Sequence, residues 1–255
     1  IFYSFYALEL IRGIGTLASA LKLDILLHLT DSRAALNLKG IGGIIFADII
    51  TNRQQLDSAL ALNIPTVVIN NYVEDLNVNC IAIDNIGGAF SAVNYLIGLG
   101  HKKIAHISGD LITQAAVHRL EGYRRALAKN KISVNPDYII KTDYSRGQAR
   151  SAAERLLTMP EPPSAVFVAS DSMALEVLAV ARERKIKVPA ELSIVGFDDN
   201  PSGLYGPVAL TTVRQPLVKM AQDSVKELNL LMEGKKAKGK KVYLPTELVV
   251  RESAQ

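Results

Sequence analysis

Two short apolar runs in this chain end in acid. Residues 165–169 (AVFVA) lead into Ser170 and Asp171, and residues 192–197 (LSIVGF) lead into Asp198, Asp199 and Asn200. Carboxylates and amides grouped in this way accept hydrogen bonds, and without a cluster of arginines around them they suit hydroxyls or amines. Neither run alternates polar with apolar residues, the pattern of strands buried on both faces of a parallel sheet. Between them Leu175, Leu178, Ala179 and Arg182 keep helical spacing, with Asp171 or Ser172 as the cap and Pro189 as the stop. Open parallel sheets bind ligands beyond the carboxyl ends of their strands, so Ser170, Asp171, Asp198 and Asn200 are expected to converge on one crevice. Asp171 also reads as a simple helix cap. Asp198, the first residue past its strand, reads as a ligand.

Three further positions are picked out by the elements that carry them. The strand 66–69 after Pro65 ends at Asn70, and the strand 138–142 ends at Asp143 and Tyr144, a ring that could stack on a sugar or pack into the core. Arg119 falls within the first turns of a helix that follows the strand 104–108 and the loop 109–116. Helix N-termini disfavour cations, so this guanidinium is expected to reach out to a partner, either a ligand or Asp198 itself.

The chain has 255 residues, 49% of them hydrophobic, which is enough for a large core in one or two domains. Its one cysteine, Cys80, cannot close an internal disulfide, no signal-like segment opens the chain, and no apolar run is long enough to span a membrane. A cytoplasmic location is the expectation. The lysine-rich stretch 234–241 (GKKAKGKK) lacks interleaved aromatics and reads as a solvated loop, and nothing resembles a helix-turn-helix or a zinc finger. His101, His106 and His118 lack the spacing and companions of a metal site.

In order, the chain alternates strands and helices: a helix from Ala7 to about Leu21, strands at 23–29 and 44–47, a helix at 52–62, strands at 66–69 and 80–83, and a helix at 89–99 closed by Gly100. After the central segment come a helix at 217–232 and one strand at 242–250. The pattern implies an α/β protein of doubly wound parallel sheets with too many strands for one small sheet. Two places break it. The chain opens without the strand such a domain begins with, and the stretch 31–39 is too short for a crossover helix, which suggests residues missing before Ile1 and near 34–37.

Gly13-Ile14-Gly15-Thr16-Leu17-Ala18 matches the dinucleotide fingerprint G-x-G-x-x-A, and Asp31 follows where a ribose-binding acid would. That motif needs a strand before its first glycine, whereas Leu8, Leu10, Ile11 and Ile14 fit a helix running through Gly15. No cofactor is expected. No G-x-S-x-G elbow or recognisable triad supports a hydrolase either.

The segments VASDSMA, KVPAELSIVGFDD, LTTVRQP, LGHKKIAHISG and RLEGYRRAL resemble the signature segments of the LacI/GalR family of bacterial transcription regulators, in their effector-binding core. The resemblance implies two doubly wound, periplasmic-binding-protein-like lobes joined by three crossovers: residues 1–83 with 216–243, and 84–215 with 244–255. It implies a small effector, a sugar by preference, held between the lobes by Asn70, Thr113, Arg119, Tyr144, Ser170, Asp198, Asn200 and Gln215. Ala115, in the contacting loop, can offer no hydrogen bond, and Ser170 stands where asparagine is frequent. It further implies a homodimer, operator DNA as partner through a helix-turn-helix headpiece absent from this chain, no membrane partner and no chemistry on the ligand. A solute-binding protein for sugar transport shares the fold and is the alternative.

Overall fold

The computed structural model of the protein describes residues 5–28, 36–47, 49–50, 52–235 and 238–255. In chain order the elements are α1 (Phe5–Ala20), β1 (Ile44–Phe46), α2 (Arg53–Ala61), β2 (Thr66–Ile69), β3 (Asn79–Ile83), α3 (Asn85–Gly98), β4 (Ile104–Ser108), α4 (Gln114–Lys129), β5 (Ile139–Lys141), α5 (Arg146–Leu157), β6 (Ala165–Val168), α6 (Asp171–Glu183), β7 (Ser193–Val195), β8 (Thr212–Arg214), α7 (Leu217–Met232), β9 (Lys241–Leu244) and β10 (Glu247–Val249). They form two compact units: the chain up to Ile83 with Pro216–Leu244, and Asp84–Gln215 with Pro245–Gln255.

The first unit holds a parallel sheet in the order β1-β2-β3-β9. Every residue of β2 and β3 is buried, which is why these strands read as unbroken apolar runs. Val68, Cys80 and Ala82 pack with Leu56 and Ala59 of α2 in its core. The helix α1 lies against α7 at Gly13, where a Cβ would stand 2.6 Å from the Ala221 Cβ and 2.8 Å from the Val218 carbonyl. Glycine is required there for close helix packing. The residues of the dinucleotide fingerprint therefore sit inside a helix with no strand leading into Gly13, and Asp31 lies outside the described residues.

The second unit is built on a parallel sheet in the order β5-β4-β6-β7, beside an antiparallel pair, β8 with β10. Alternation along the strands separates two faces. Ala105, Ile107, Val166, Val168 and Ile194 join the core with α5 and α6, among them Ala149, Ala153, Met173 and Val177. On the opposite face the buried ring of His106 stacks between Phe167, with centroids 4.9 Å apart, and Tyr123 of α4 at 5.3 Å. Burial pushes the His106 pKa down to about 4, so the ring is neutral at physiological pH. The His101 ring bridges the Ser164 and Ser193 hydroxyls at 2.8 and 3.0 Å, fastening the starts of β6 and β7.

Four expectations need correction. Residues 23–28 form no strand: Leu23 N–H closes onto the Ala18 carbonyl after Lys22 at φ 57°, and Ile25, Leu26 and Leu27 are more than half exposed. That run has one β-branched residue, and β1 ends its sheet with no neighbour on that side among the described residues. The single strand expected at 242–250 is two, β9 and β10, belonging to different sheets; Pro245 between them lacks the N–H that a continuous ladder needs. The helix expected from Ala89 starts at Asn85, capped by Asp84, whose Oδ1 accepts from Gly87 N–H at 2.7 Å. The cap of α6 is Ser170, not Asp171 or Ser172, its Oγ accepting from Met173 N–H.

The tightest helix approach in the second unit is α3 against α4 at Gly122, where a Cβ would lie 2.4 Å from the Ile86 carbonyl and 2.7 Å from the Ala89 Cβ. Gly122→Ala is expected to destabilise the chain by about 1–3 kcal/mol despite alanine's better helix propensity. Urea unfolding followed by circular dichroism measures this; an unchanged or higher midpoint would show that the helices separate at no cost.

Candidate functional site

The carboxyl ends of β4, β6 and β7 in the second unit bring together most of the polar residues singled out in the sequence. The helix α4 carries Arg119 in its second turn, and the side chain is 4% exposed. Its Nε donates to Asn85 Oδ1 at 2.8 Å, its Nη1 to the Ala169 carbonyl at 2.5 Å, and the guanidinium lies over the Phe197 ring, 3.7 Å from the centroid. A stacked, forked cation of this kind is stable out of water, and a desolvated cation–π contact contributes roughly 2 kcal/mol. Nη1 is also 3.9 Å from Asp198 Oδ1, a loose ion pair.

Asp198 stands where the chain leaves β7, and its backbone takes φ 139°, followed by Asp199 at φ 59°. L-residues resist this region, so the turn has to be held from outside. Asp198 N–H donates to the Val213 carbonyl at 2.8 Å. Gln215 donates from Nε2 to Asp198 Oδ1 at 2.5 Å, while its own buried Oε1 has no donor among the described residues. Asp199 points elsewhere, paired with Arg214 Nε at 2.7 Å and with Arg251 Nη2 at 2.5 Å, which hold its carboxyl below the usual range.

Asn200 caps the short helical turn Pro201–Leu204 through Ser202 N–H, and its own N–H donates to Asp171 Oδ2 at 2.7 Å. Ser170 and Thr113 are engaged as helix caps, Thr113 accepting from Ala116 N–H at 3.3 Å. Tyr144, at φ 66°, lays its ring on Gly109 so closely that a Cβ there would fall 2.0 Å from it, and it is half-buried against the core. Asn70 belongs to the first unit, at the end of β2, with φ 58° and an Oδ1 that has no donor among the described residues. The structure thus gathers Arg119, Ser170, Asp198, Asn200 and Gln215 at one sheet edge, while Thr113 serves its own helix.

Asn85, Phe197 and Thr212 also take part, and their sequence context does not mark them. Asn85 follows a helix cap and reads as a helix start; only Arg119, 34 residues later, gives its amide a purpose. Phe197 reads as the last apolar residue of a strand. Asp171 is fully buried, and burial together with the charge of Asp198 pushes its pKa up to about 7. Burial raises Asp198 as well, against the pull of Arg119 and Gln215. The edge therefore offers carboxylate and amide acceptors beside one buried cation.

A profile of the periplasmic binding protein-like domain matches residues 93–254. The catabolite control protein A of Priestia megaterium is 32% identical over 262 residues, 98% of this chain and 78% of that protein. The chain belongs to the LacI/GalR family. The HTH-type transcriptional repressor CytR of Escherichia coli K12 is 36% identical over 191 residues, and the chain spans 56% of its length. Among solved structures of the LacI-family fold, a complex of the transcriptional regulator CelR with cellobiose superposes with a TM-score of 0.87 at 27% identity, covering 99% of this chain and 80% of that one. These likenesses confirm the α/β architecture of parallel sheets expected for a LacI/GalR effector-binding core.

The raised carboxyls of this LacI/GalR core have a sign that solution measurement can read. An acid whose folded pKa lies above its ordinary 3.8 adds stability below that value and loses it as pH rises through about 7. Asp171→Asn removes the loss, so its melting temperature relative to the parent is expected to rise between pH 5 and 8, by the equivalent of roughly 1 kcal/mol or more. A difference independent of pH would show that Asp171 titrates as an ordinary carboxyl.

Proposed function

We propose that this chain is the ligand-sensing core of a LacI-type transcription regulator, and that it binds a small uncharged sugar at the sheet edge formed by Arg119, Asp198 and Gln215. The observation that carries the reading is the trio itself: Asp198 held between a buried guanidinium and an amide whose Oε1 has no donor among the described residues. A buried acceptor without a partner costs roughly 1–3 kcal/mol, and a hydroxyl of the effector would satisfy it. The only cation in the trio is already matched by Asp198, which leaves no free positive charge for a phosphate or carboxylate. Arg119 is tied to Asn85, Ala169 and Phe197, so its role is to hold Asp198. Asn70, Tyr144, Ser170, Asn200 and Thr113 complete the proposed contact set.

Effector binding would act by shifting the populations of two arrangements of the protein that differ in DNA affinity, with coupling limited to the difference in effector affinity between them. DNA would be read by a helix-turn-helix segment of the same protein, as the naming of CytR suggests, and the working form would be a cytoplasmic homodimer that carries out no chemistry on its ligand. The regulator names of the relatives favour this over a role in transport.

Thermal denaturation against ribose, glucose, cellobiose, glucose 6-phosphate and NAD tests the proposal. A neutral sugar at 100 times its dissociation constant should stabilise the chain by about 2.7 kcal/mol, and glucose 6-phosphate should not. Asp198→Ala and Gln215→Ala should each weaken that sugar at least about tenfold with the fold intact. Stabilisation by glucose 6-phosphate or NAD alone would contradict it.

A further inference from the structure

Asp171 is spent neither as a helix cap nor as a free carboxylate at the edge. Its side chain is fully buried and reaches away from its own helix into the turn that follows β7. Oδ1 accepts the Thr212 hydroxyl at 2.5 Å, and Oδ2 accepts Asn200 N–H at 2.7 Å. The backbone N–H of Asp171 donates to the Phe197 carbonyl at 2.8 Å and lies 3.4 Å from Asp198 Oδ2. Gly196 supplies the space, since a Cβ there would lie 2.1 Å from Asp171 Oδ1. Thr212 completes the arrangement by standing 3.4 Å from Asp199 N–H while it donates to Asp171.

The turn 197–200 is thereby gripped at Phe197, Asp199 and Asn200, on either side of Asp198. Its two positive φ angles are braced by β8 only at Asp198, whose N–H donates to the Val213 carbonyl, and an isolated turn of this shape would relax. The carboxylate takes the place of a backbone acceptor, linking the start of α6 to the turn and to β8 at once.

We propose that Asp171 is a positioning residue that sets the place of the Asp198 carboxylate through Asn200 N–H and the Thr212 hydroxyl, without itself touching the effector. The proposal rests on the reading of Asp198 as the effector's acceptor, but the arrangement it describes exists in the free chain. What matters is an acceptor of the right shape, so asparagine, which keeps one oxygen for Asn200 N–H and an amide for the Thr212 oxygen, should serve nearly as well.

Amide hydrogen exchange of this chain, resolved residue by residue by nuclear magnetic resonance, tests it in the absence of any ligand. In Asp171→Ala the Asn200 amide should lose protection at least about tenfold while the amides of 104–108 in β4 keep theirs, and in Asp171→Asn the Asn200 amide should stay within about threefold of the parent. Should Asp171→Ala fail to fold, Thr212→Val carries the test, with loss of protection expected at Asp199 alone. Unchanged exchange at Asn200 in Asp171→Ala, or equal losses throughout the second unit in both Asp171 variants, would overturn the proposal. The same variants are then titrated with ribose, glucose and cellobiose. Affinity should fall in Asp171→Ala and persist in Asp171→Asn. If none of these sugars binds the parent, the sugar reading fails while the exchange result still decides the role of Asp171.

Discussion

A guanidinium withdrawn from water is the constraint around which the second unit is arranged. Burying an unpaired charge is prohibitive, so a 4% exposed Arg119 can exist only where several groups converge on it. The Asn85 amide comes from the start of α3, the Ala169 carbonyl from the end of β6, the Phe197 ring from the end of β7, and Asp198 from the turn beyond it. Each lies at the carboxyl edge of the sheet or on the helix beside it, because parallel strands with right-handed crossovers deliver their ends to one side. Removing the cation would leave a carboxylate and a carbonyl facing each other with nothing between them.

A second layer supports the first. Asp171 and Thr212 hold the turn whose positive φ angles aim Asp198, and Gly196 leaves them room. The charge of Asp199 is drawn off by Arg214 and Arg251 of the neighbouring β8–β10 region, which separates two adjacent aspartates into different roles. Asp198 is left beside one loose cation and one amide, and Asp199 is locked into the frame.

Much of this was legible in the sequence. Apolar runs ending in acid marked β6 and β7, and a helix-disfavoured arginine marked Arg119, because burial and helix electrostatics act locally on residue choice. The glycines of the dinucleotide-like fingerprint lie within α1, as the spacing of Leu8, Leu10, Ile11 and Ile14 predicts, and Gly13 is a packing contact with α7. What the sequence concealed depends on partners far along the chain. Asp171 looked like a cap because its real partners, Asn200 and Thr212, lie 29 and 41 residues away. The run 242–250 looked continuous because sheet membership is decided by pairing, and Pro245 is a weak sign of a break until β8 and β3 are seen to claim its two halves. The apolar run at 23–28 looked like a strand because hydrophobicity alone does not supply a neighbour.

Chemical-shift mapping offers the most direct measurement: titration of ribose, glucose and cellobiose into isotopically labelled chain, with the Arg119 Nε–H and Gln215 side-chain amide signals followed alongside the backbone. The account predicts that a bound sugar moves the signals of Arg119, Asp198, Asn200 and Gln215 together, with one dissociation constant. Perturbations that leave those four unmoved and gather on another surface, or none with any of the three sugars, would contradict it.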